Sequence, residues 1–268
     1  KSLERSPSNA GTRRHETRRC PVRSENALSG RRAVSGALTA PISPRGRCPM
    51  QLANGITFCL VGDEPVFLDE VGDRYFQLPP RLTDAFRSVL GREKLTTAEE
   101  EGLLALSCFQ SDGSEGLGLF PFQIPMPPRS ALEEDGEQDR FGVLATAEVG
   151  ALLLRWNRRV RKLGLAGCFN IVRRWKQGSR PIEHFNSSRI TMLARRFESA
   201  RRLVPIAPRC LPDSLALLDF LSRRFVAGSL VVGVRLHPFR AHCWIQAGDI
   251  TLNESLDGIA AYTPIRMI

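Results

Sequence analysis

The fold of this chain is decided by the stretch Arg209-Cys210-Leu211-Pro212-Asp213-Ser214-Leu215-Ala216-Leu217-Leu218, together with the later stretch Ala241-His242-Cys243-Trp244-Ile245. The first predicts a helix that begins at Cys210, with a proline just inside its start, where no helical N–H bond is lost. Backbone N–H groups and the helix dipole favour negative charge there, so we expect the pKa of the thiol to fall. The second predicts a strand whose His242 would supply a general acid to that thiolate.

The rest of the C-terminal half shows helical spacing first and strand patterns afterwards. Apolar spacing and stop residues predict helices over residues 146–163 and 168–177, each followed by a glycine, and a third helix capped by Ser187 or Ser188. The Cys210 helix should continue to Arg224, and the predicted strands are residues 230–236, 241–245 and 250–253. Because side chains alternate along a strand, His242 and Trp244 share one face, and Cys243 points away as a core cysteine, like Cys168.

Residues 50–112 predict a small module of strands followed by helices. The strand candidates are residues 56–61, 65–69 and 74–78, and the helices begin after Pro79-Pro80 and at Thr96 or Thr97. This order indicates a winged-helix-like unit whose exposed sheet edge could accept an extended peptide as an added strand. A purely structural cap on the larger domain is the alternative. DNA binding is less favoured, because the second helix begins with acidic residues and basic residues do not line one face.

Two segments predict no regular structure. Residues 113–145 read as a linker rich in Gly, Pro and acidic residues, and residues 1–49 read as a disordered basic tail. Because Met50 directly precedes the first ordered pattern, we hypothesise that the natural start is Met50 and that the tail is not native. A measured intact mass that includes residues 1–49 would end that hypothesis.

Composition excludes several classes of function. Residues 1–49 hold eleven basic and three acidic residues, so they carry +8 of the net charge of +10, and the foldable part gives no reason to expect a nucleic-acid partner. No apolar run is long enough to cross a membrane. The seven cysteines form no CxxC pair, which argues against zinc and against a secreted disulfide framework and favours the cytoplasm. No P-loop for ATP is present, and no cofactor is expected.

Three motifs carry a resemblance to a known family. The text ARRLVPIAPRCLPDSLALLDFLSRR, the text VVGVRLHPFRAHCWIQ and the closing YTPI resemble the transglutaminase-like cysteine protease domain of lasso-peptide maturation enzymes. Residues 50–112 resemble the precursor-recognition element, similar to the small pyrroloquinoline-quinone chaperone, that some members carry in front of it. The resemblance implies an α+β fold, with a winged-helix-like module of three strands and helices followed by a transglutaminase/papain-like cysteine protease domain at residues 146–268.

The resemblance also implies roles for individual residues. Cys210 would be the nucleophile and His242 the base and acid of a leader peptidase. The family's third member is usually an Asp on the strand after the His, twelve residues on, and this chain has Glu254 there. Asp257 and Asp249 therefore remain alternatives for the carboxylate. The chain also departs from the family at residue 225, where a Phe stands in place of the frequent glycine.

The implied substrate is a ribosomally made precursor peptide. The module would bind its leader, and the candidate substrate-binding residues are Tyr75, Phe76, Leu78 and Trp244. The freed core would pass to an asparagine-synthetase-like cyclase, and the ATP would be used by that partner. Two other classes of function stay open, namely a Cys-His-carboxylate acyltransferase and a non-catalytic scaffold that binds peptide or DNA. In the second case Cys210 would be only a buried structural thiol.

Overall fold

The computed structural model describes residues 50–111, 119–134, 143–178 and 186–268, and these described residues belong to one compact unit. The predicted basic tail lies outside the described residues, as do residues 112–118 and 135–142 of the predicted linker.

The N-terminal module contains the three predicted strands and two predicted helices. Its elements are β1 (Met50–Leu52), β2 (Ile56–Val61), β3 (Glu64–Asp69), β4 (Arg74–Phe76), α1 (Pro80–Leu90), α2 (Thr97–Leu104) and β5 (Phe109–Ser111). Strands β2, β3 and β4 form an antiparallel sheet, and β1 pairs with β5 in a two-stranded ribbon that the sequence did not predict. Thr96 caps α2: its hydroxyl accepts from the Glu99 N–H, and the Glu99 carboxylate accepts from the Thr96 N–H.

The C-terminal part combines long helices with one sheet. Its elements are β6 (Arg129–Ser130), α3 (Val143–Gly178), α4 (Ser187–Arg202), α5 (Cys210–Ser222), β7 (Ser229–Arg235), β8 (Arg240–Ala247), β9 (Ile250–Thr251), α6 (Leu256–Ala260) and β10 (Thr263–Met267). The strand order is β10-β7-β8-β9-β6, antiparallel except that β6 runs parallel to β9. Helix α5 packs on β8 and β7, with α3 and α4 behind it. The chain is therefore an α+β protein.

Three boundaries differ from the expectations. The helix stop predicted at Gly164 is a kink inside α3, where a φ of 62° interrupts the helix before it resumes at once. Asn186, rather than Ser187 or Ser188, caps α4, because its side-chain oxygen accepts from the Arg189 N–H. The segment predicted as a linker contributes β6, an edge strand too short to leave an alternating pattern in the sequence.

Both faces of the module's sheet are buried. Phe58 and Phe67 face the module's own core, where Phe86 of α1 packs edge-on against their rings. Their neighbours in the strands, Cys59 and Leu68, belong to the large core of the C-terminal domain. This explains why β3 reads as a continuous apolar run, which is typical of strands covered on two sides. The module and the C-terminal domain therefore share a hydrophobic core.

A buried carboxylate joins the two parts. Glu70 follows β3, and its side chain is only 3% exposed. It pairs with Arg173 of α3 at 2.7 Å and with Arg266 of β10 at 2.6 Å. A buried charge must be paired to be tolerated, so these two arginines fix the end of the module's sheet against the domain.

We expect Glu70→Gln to lower the free energy of unfolding by about 3 kcal/mol, because it leaves two arginines without their shared partner. Urea denaturation followed by circular dichroism measures this. Asp84→Asn is the control, since it also removes one carboxylate, from the exposed pair with Arg87, and should cost under about 0.5 kcal/mol. Equal losses in the two variants would contradict the role assigned to Glu70.

The backbone at the end of α5 shows what residue 225 does, where this chain has Phe and the family that it resembles often has glycine. Phe225 has a φ of 58°, a left-handed conformation that favours glycine, and its side chain is 82% exposed. Its N–H bonds to the Ser222 carbonyl, and the Val226 N–H bonds to the Leu221 carbonyl, as in a Schellman motif. Phe225 thus occupies the position where helices usually place glycine.

We expect Phe225→Gly to raise the free energy of unfolding by about 0.5–1 kcal/mol, because glycine adopts this conformation without the steric cost of a Cβ. Thermal and urea denaturation measure the gain. Phe225→Ala keeps the Cβ while removing the exposed ring, so it should give no comparable gain; a gain of the same size would show that the ring, not the backbone, is responsible.

Candidate active site

Cys210 is the first residue of α5, and ionic contacts fix the helix start around it. The Asp213 carboxylate, in the first turn, accepts from the Arg209 N–H at 3.3 Å and from Nε of Arg201 at 3.0 Å. An acidic group in this turn also complements the helix dipole. Arg201 is buried on α4 and donates further bonds to the carbonyls of Val204 and Ile206, which holds the segment leading into α5. The hydrogen bonds of Arg201 and Asp213 therefore fix the position of Cys210.

A second set of hydrogen bonds ties α5 to β8 one turn further on. The Ser214 hydroxyl donates to the Cys243 carbonyl at 3.1 Å and accepts from the Asn253 side-chain amide at 3.0 Å. The Asn253 side-chain oxygen accepts from the Ile245 N–H at 2.7 Å, which closes the network on β8. The start of α5 thus has a fixed place against the strand that carries His242.

The structure brings together the three residues for which the resemblance implies catalysis. Nε2 of His242 lies 2.8 Å from Oε1 of Glu254, and the Cys210 side chain hydrogen-bonds to the same imidazole. Because Glu254 occupies Nε2, the ring nitrogen left for Cys210 is Nδ1. The Ser130 hydroxyl donates to the Glu254 carbonyl at 2.7 Å, so β6 also helps to hold this carboxylate.

Of the three candidate carboxylates, Glu254 is the one that contacts His242. Asp249 instead pairs with Arg129 at 3.5 Å, and Asp257 lies in the first turn of α6. The strand predicted over residues 250–253 ends early, at Thr251, so Glu254 lies in the loop between β9 and α6 rather than on the strand.

Electrostatics favour a thiolate–imidazolium pair. A hydrogen bond from the Cys243 thiol is the largest effect on Cys210; desolvation opposes ionisation, and the contact with His242 and its charge add to the stabilisation, which lowers the pKa of Cys210 to about 4. Burial by itself would lower the pKa of His242, but Cys210 and Glu254 outweigh it and raise that pKa to about 9. Cys210 is exposed at its residue surface, so a substrate can reach it.

Aromatic packing orients the imidazole from the other side. The His242 ring lies 5.2 Å from the Tyr262 ring and 6.4 Å from the Trp244 ring, measured between centroids. Gly233 stands opposite His242 in β7, and a Cβ there would come within 2.7 Å of the Trp244 ring. Glycine at this position therefore leaves room for the ring of Trp244, two residues beyond His242 on β8.

The four candidate substrate-binding residues lie in different environments. Tyr75 packs against Phe239 at 5.5 Å and against the C-terminal core; burial raises the pKa of its phenol, and the nearby Cys243 and Cys210 sulfurs raise it further. Phe76 stacks on Phe67 inside the module, where Leu78 is also buried. Trp244 is fully buried beside His242. Of the four, the structure brings Tyr75 to the neighbourhood of the Cys210 sulfur.

Sequence reasoning missed one member of the site, Cys243. It is a core cysteine as predicted, 5% exposed, but its thiol also hydrogen-bonds to Cys210. A signal was present: strand alternation places Cys243 on the face opposite His242, and that face carries α5, whose first residue is Cys210.

Comparison with known families agrees with this architecture. Residues 150–267 match the family model described as the transglutaminase-like superfamily. Residues 150–267 are therefore similar to the transglutaminase-like superfamily, which includes cysteine peptidases and acyltransferases. Searches of curated proteins and of solved structures found no match to the chain.

The described part of the chain offers neither a metal-binding cluster nor a membrane-spanning helix. Within residues 50–111, 119–134, 143–178 and 186–268, no group of three or more His, Cys, Asp or Glu side chains is placed to hold a metal ion. Over the same ranges, no helix has the length and apolar character needed to cross a membrane.

Proposed function

We propose that this protein is a cysteine endopeptidase that removes the leader from the core of a ribosomally made lasso-peptide precursor, before macrocyclisation. The observation that carries the proposal is an exposed Cys210 at a helix N-terminus, beside a His242 that Glu254 holds in place. Contacts with Cys243 and His242 lower the pKa of Cys210 to about 4, which favours the thiolate. The transglutaminase-like match over residues 150–267 supports the class of chemistry, and the resemblance to lasso-peptide maturation proteases supplies the substrate.

The chemistry follows from the geometry of these groups. The Cys210 sulfur attacks the carbonyl carbon at the leader–core junction, and the oxyanion that forms lies near the N-terminal N–H groups of α5, which have no helical partners. The His242 imidazolium then gives its proton to the leaving amine, and the C–N bond breaks. Water, deprotonated by the now neutral imidazole, hydrolyses the thioester and releases the sulfur again as a thiolate.

The N-terminal module offers a place for the leader. In the described part of the chain, β4 pairs with β3 on one side only, whereas β2 at the other edge lies against β10. An extended leader would add to β4 through backbone hydrogen bonds. Tyr75 lies in the middle of β4 and near the Cys210 sulfur, so a peptide bound at this edge would need only a short span to reach the catalytic centre.

The test is incubation of the purified protein with a synthetic leader–core precursor, followed by mass spectrometry of the products. We expect one cleavage at the junction by the wild type and none by Cys210→Ala. Adding an amine acceptor separates hydrolysis from acyl transfer, the second activity that the superfamily match allows. A product joined to the amine in preference to water would favour the acyltransferase.

Leader binding is tested without cleavage. In hydrogen–deuterium exchange on Cys210→Ala, the leader peptide alone should slow exchange of the amides in Arg74–Phe76, while a scrambled peptide should not. If the leader left the exchange of the β4 amides unchanged, leader binding at this edge would be contradicted.

Transfer of the core to an asparagine-synthetase-like cyclase that uses ATP is part of the same proposal, as is a cytoplasmic location, which suits an enzyme that depends on a reduced thiol. A co-purification assay with the cyclase encoded beside the precursor would test the partnership.

A further inference from the structure

Cys243 contacts the nucleophile directly, from a position that the cleavage mechanism does not use. Its side chain is buried in the core, on the β8 strand against which α5 packs, and a hydrogen bond from its thiol is the largest cause of the lowered pKa of Cys210. We propose that Cys243 is a positioning residue, which donates its S–H to the Cys210 sulfur and so holds that sulfur in its ionised, reactive state. The inference rests on the proposed function only in treating Cys210 as the nucleophile.

The geometry of α5 on β8 fixes this contact. Cys243 follows His242 on β8, so the two side chains leave the strand on opposite faces, and that of Cys243 enters the core beneath α5. The Ser214 hydroxyl, one helical turn beyond Cys210, bonds to the Cys243 carbonyl at 3.1 Å. The same backbone unit therefore anchors the helix and presents a thiol to its first residue.

The two sulfurs differ in which one keeps its proton. The hydrogen bond that Cys243 donates to Cys210, followed by its burial and the negative charge of Cys210, raises the pKa of Cys243 well above its ordinary value. The pKa of Cys210 falls instead: the hydrogen bond from Cys243 lowers it most, desolvation opposes the fall, and the contact with His242 adds to it. The helix N-terminus where Cys210 lies also favours the anion. The pair thus holds one proton, on Cys243, across the pH range in which Cys210 is ionised.

Other titratable groups also face Cys210 and must be distinguished from Cys243. His242 lies beside it on β8, Asp213 lies in the first turn of α5, and Tyr75 approaches from β4. His242 stabilises the thiolate as a cation, whereas the negative charge that Asp213 carries when ionised opposes it. Cys243 differs from both because it acts as a neutral donor, so its contribution to the thiolate does not depend on the charge of His242.

The test measures the ionisation of Cys210 without any substrate. The full chain is treated with iodoacetamide across a range of pH, and mass spectrometry quantifies alkylation of the peptide that contains Cys210. We expect Cys243→Ala to raise the pH of half-maximal rate by at least about one unit, because a hydrogen bond to a charged group is lost. Cys243→Ser keeps a donor and should retain most of the wild-type behaviour. Cys168→Ala, which removes a buried thiol elsewhere in the same core, should leave the profile unchanged.

The outcomes separate the inference from the proposed function. A folded Cys243→Ala with a wild-type alkylation profile would overturn the role of Cys243, whatever the protein cleaves. A shifted profile in a protein that cleaves no precursor would keep the inference and overturn the peptidase proposal. If Cys243→Ala does not fold, Cys243→Val fills the space without a donor, and a profile like that of Cys243→Ser would count against the hydrogen bond.

Discussion

Replacing Cys210 with serine is expected to reduce kcat/KM for precursor cleavage by about 10⁴-fold or more. A serine hydroxyl does not ionise at the start of α5 as a thiol does, so it would need a general base. In the wild type burial lowers the pKa of His242, but Cys210 first and Glu254 next outweigh it and raise that pKa to about 9. The imidazole is therefore placed as the acid partner of a thiolate, and the serine variant loses that ion pair. The site is built for a nucleophile that is already ionised. Time courses with a synthetic precursor, read by mass spectrometry, give the ratio.

The matched control for this substitution is Cys168→Ala, in which a buried core cysteine of α3 is removed. It should lower stability while cleavage by the folded fraction remains near the wild-type rate. If Cys210→Ser instead kept a tenth or more of the wild-type kcat/KM, another residue would have to be the nucleophile.

Glu254→Gln is expected to reduce kcat/KM by about 10²–10³-fold. The amide can still hydrogen-bond to His242, but it removes the negative charge that stabilises the imidazolium. The pKa of His242 should therefore fall, and with it the population of the ion pair that Cys210 needs. The same assay measures the rate, and alkylation of Cys210 across pH reports the ion pair separately.

The controls for Glu254 are the two other candidate carboxylates. Asp257→Asn and Asp249→Asn each remove one negative charge close to Glu254 in sequence, but neither residue contacts His242, so both variants should stay within a few-fold of wild type. Glu254→Asp should fall between, because an aspartate in the loop beyond β9 is one methylene too short. A loss at Asp257 as large as that at Glu254 would reassign the third member of the site.

Local sequence signals were sufficient for the parts of the site that lie on regular elements. Pro212 and the apolar spacing that follows it predict the helix start at Cys210. The alternation of apolar residues around His242 predicts the strand that carries it. The candidate Glu254 came from a resemblance, since nothing in the spacing of the acidic residues distinguishes it from Asp249 or Asp257. Its contact with His242 depends on how the loop after β9 closes, which is a tertiary effect.

Features that depend on distant parts of the chain were not predictable in the same way. Strands β5, β6 and β9 have two or three residues each, too few to show a period, and they exist because a longer partner strand or a core binds them. The strand predicted over residues 74–78 ends at Phe76, and Leu78 lies beyond it with its side chain buried in the module's core. The contact between the Cys243 and Cys210 sulfurs depends on how α5 packs on β8, which local sequence patterns do not show.

The sharing of one hydrophobic core by the module and the C-terminal domain bears on how chains of this architecture can be re-engineered. A chimera that takes the N-terminal module from a relative would bring foreign side chains to the positions of Cys59, Val66 and Leu68, and would replace the buried anion that Arg173 and Arg266 require. If the module binds the leader as proposed, leader specificity should be exchanged by grafting the exposed edge of β4 alone, or by transplanting the module together with the C-terminal residues that contact it. Transfer of the module by itself should yield insoluble protein.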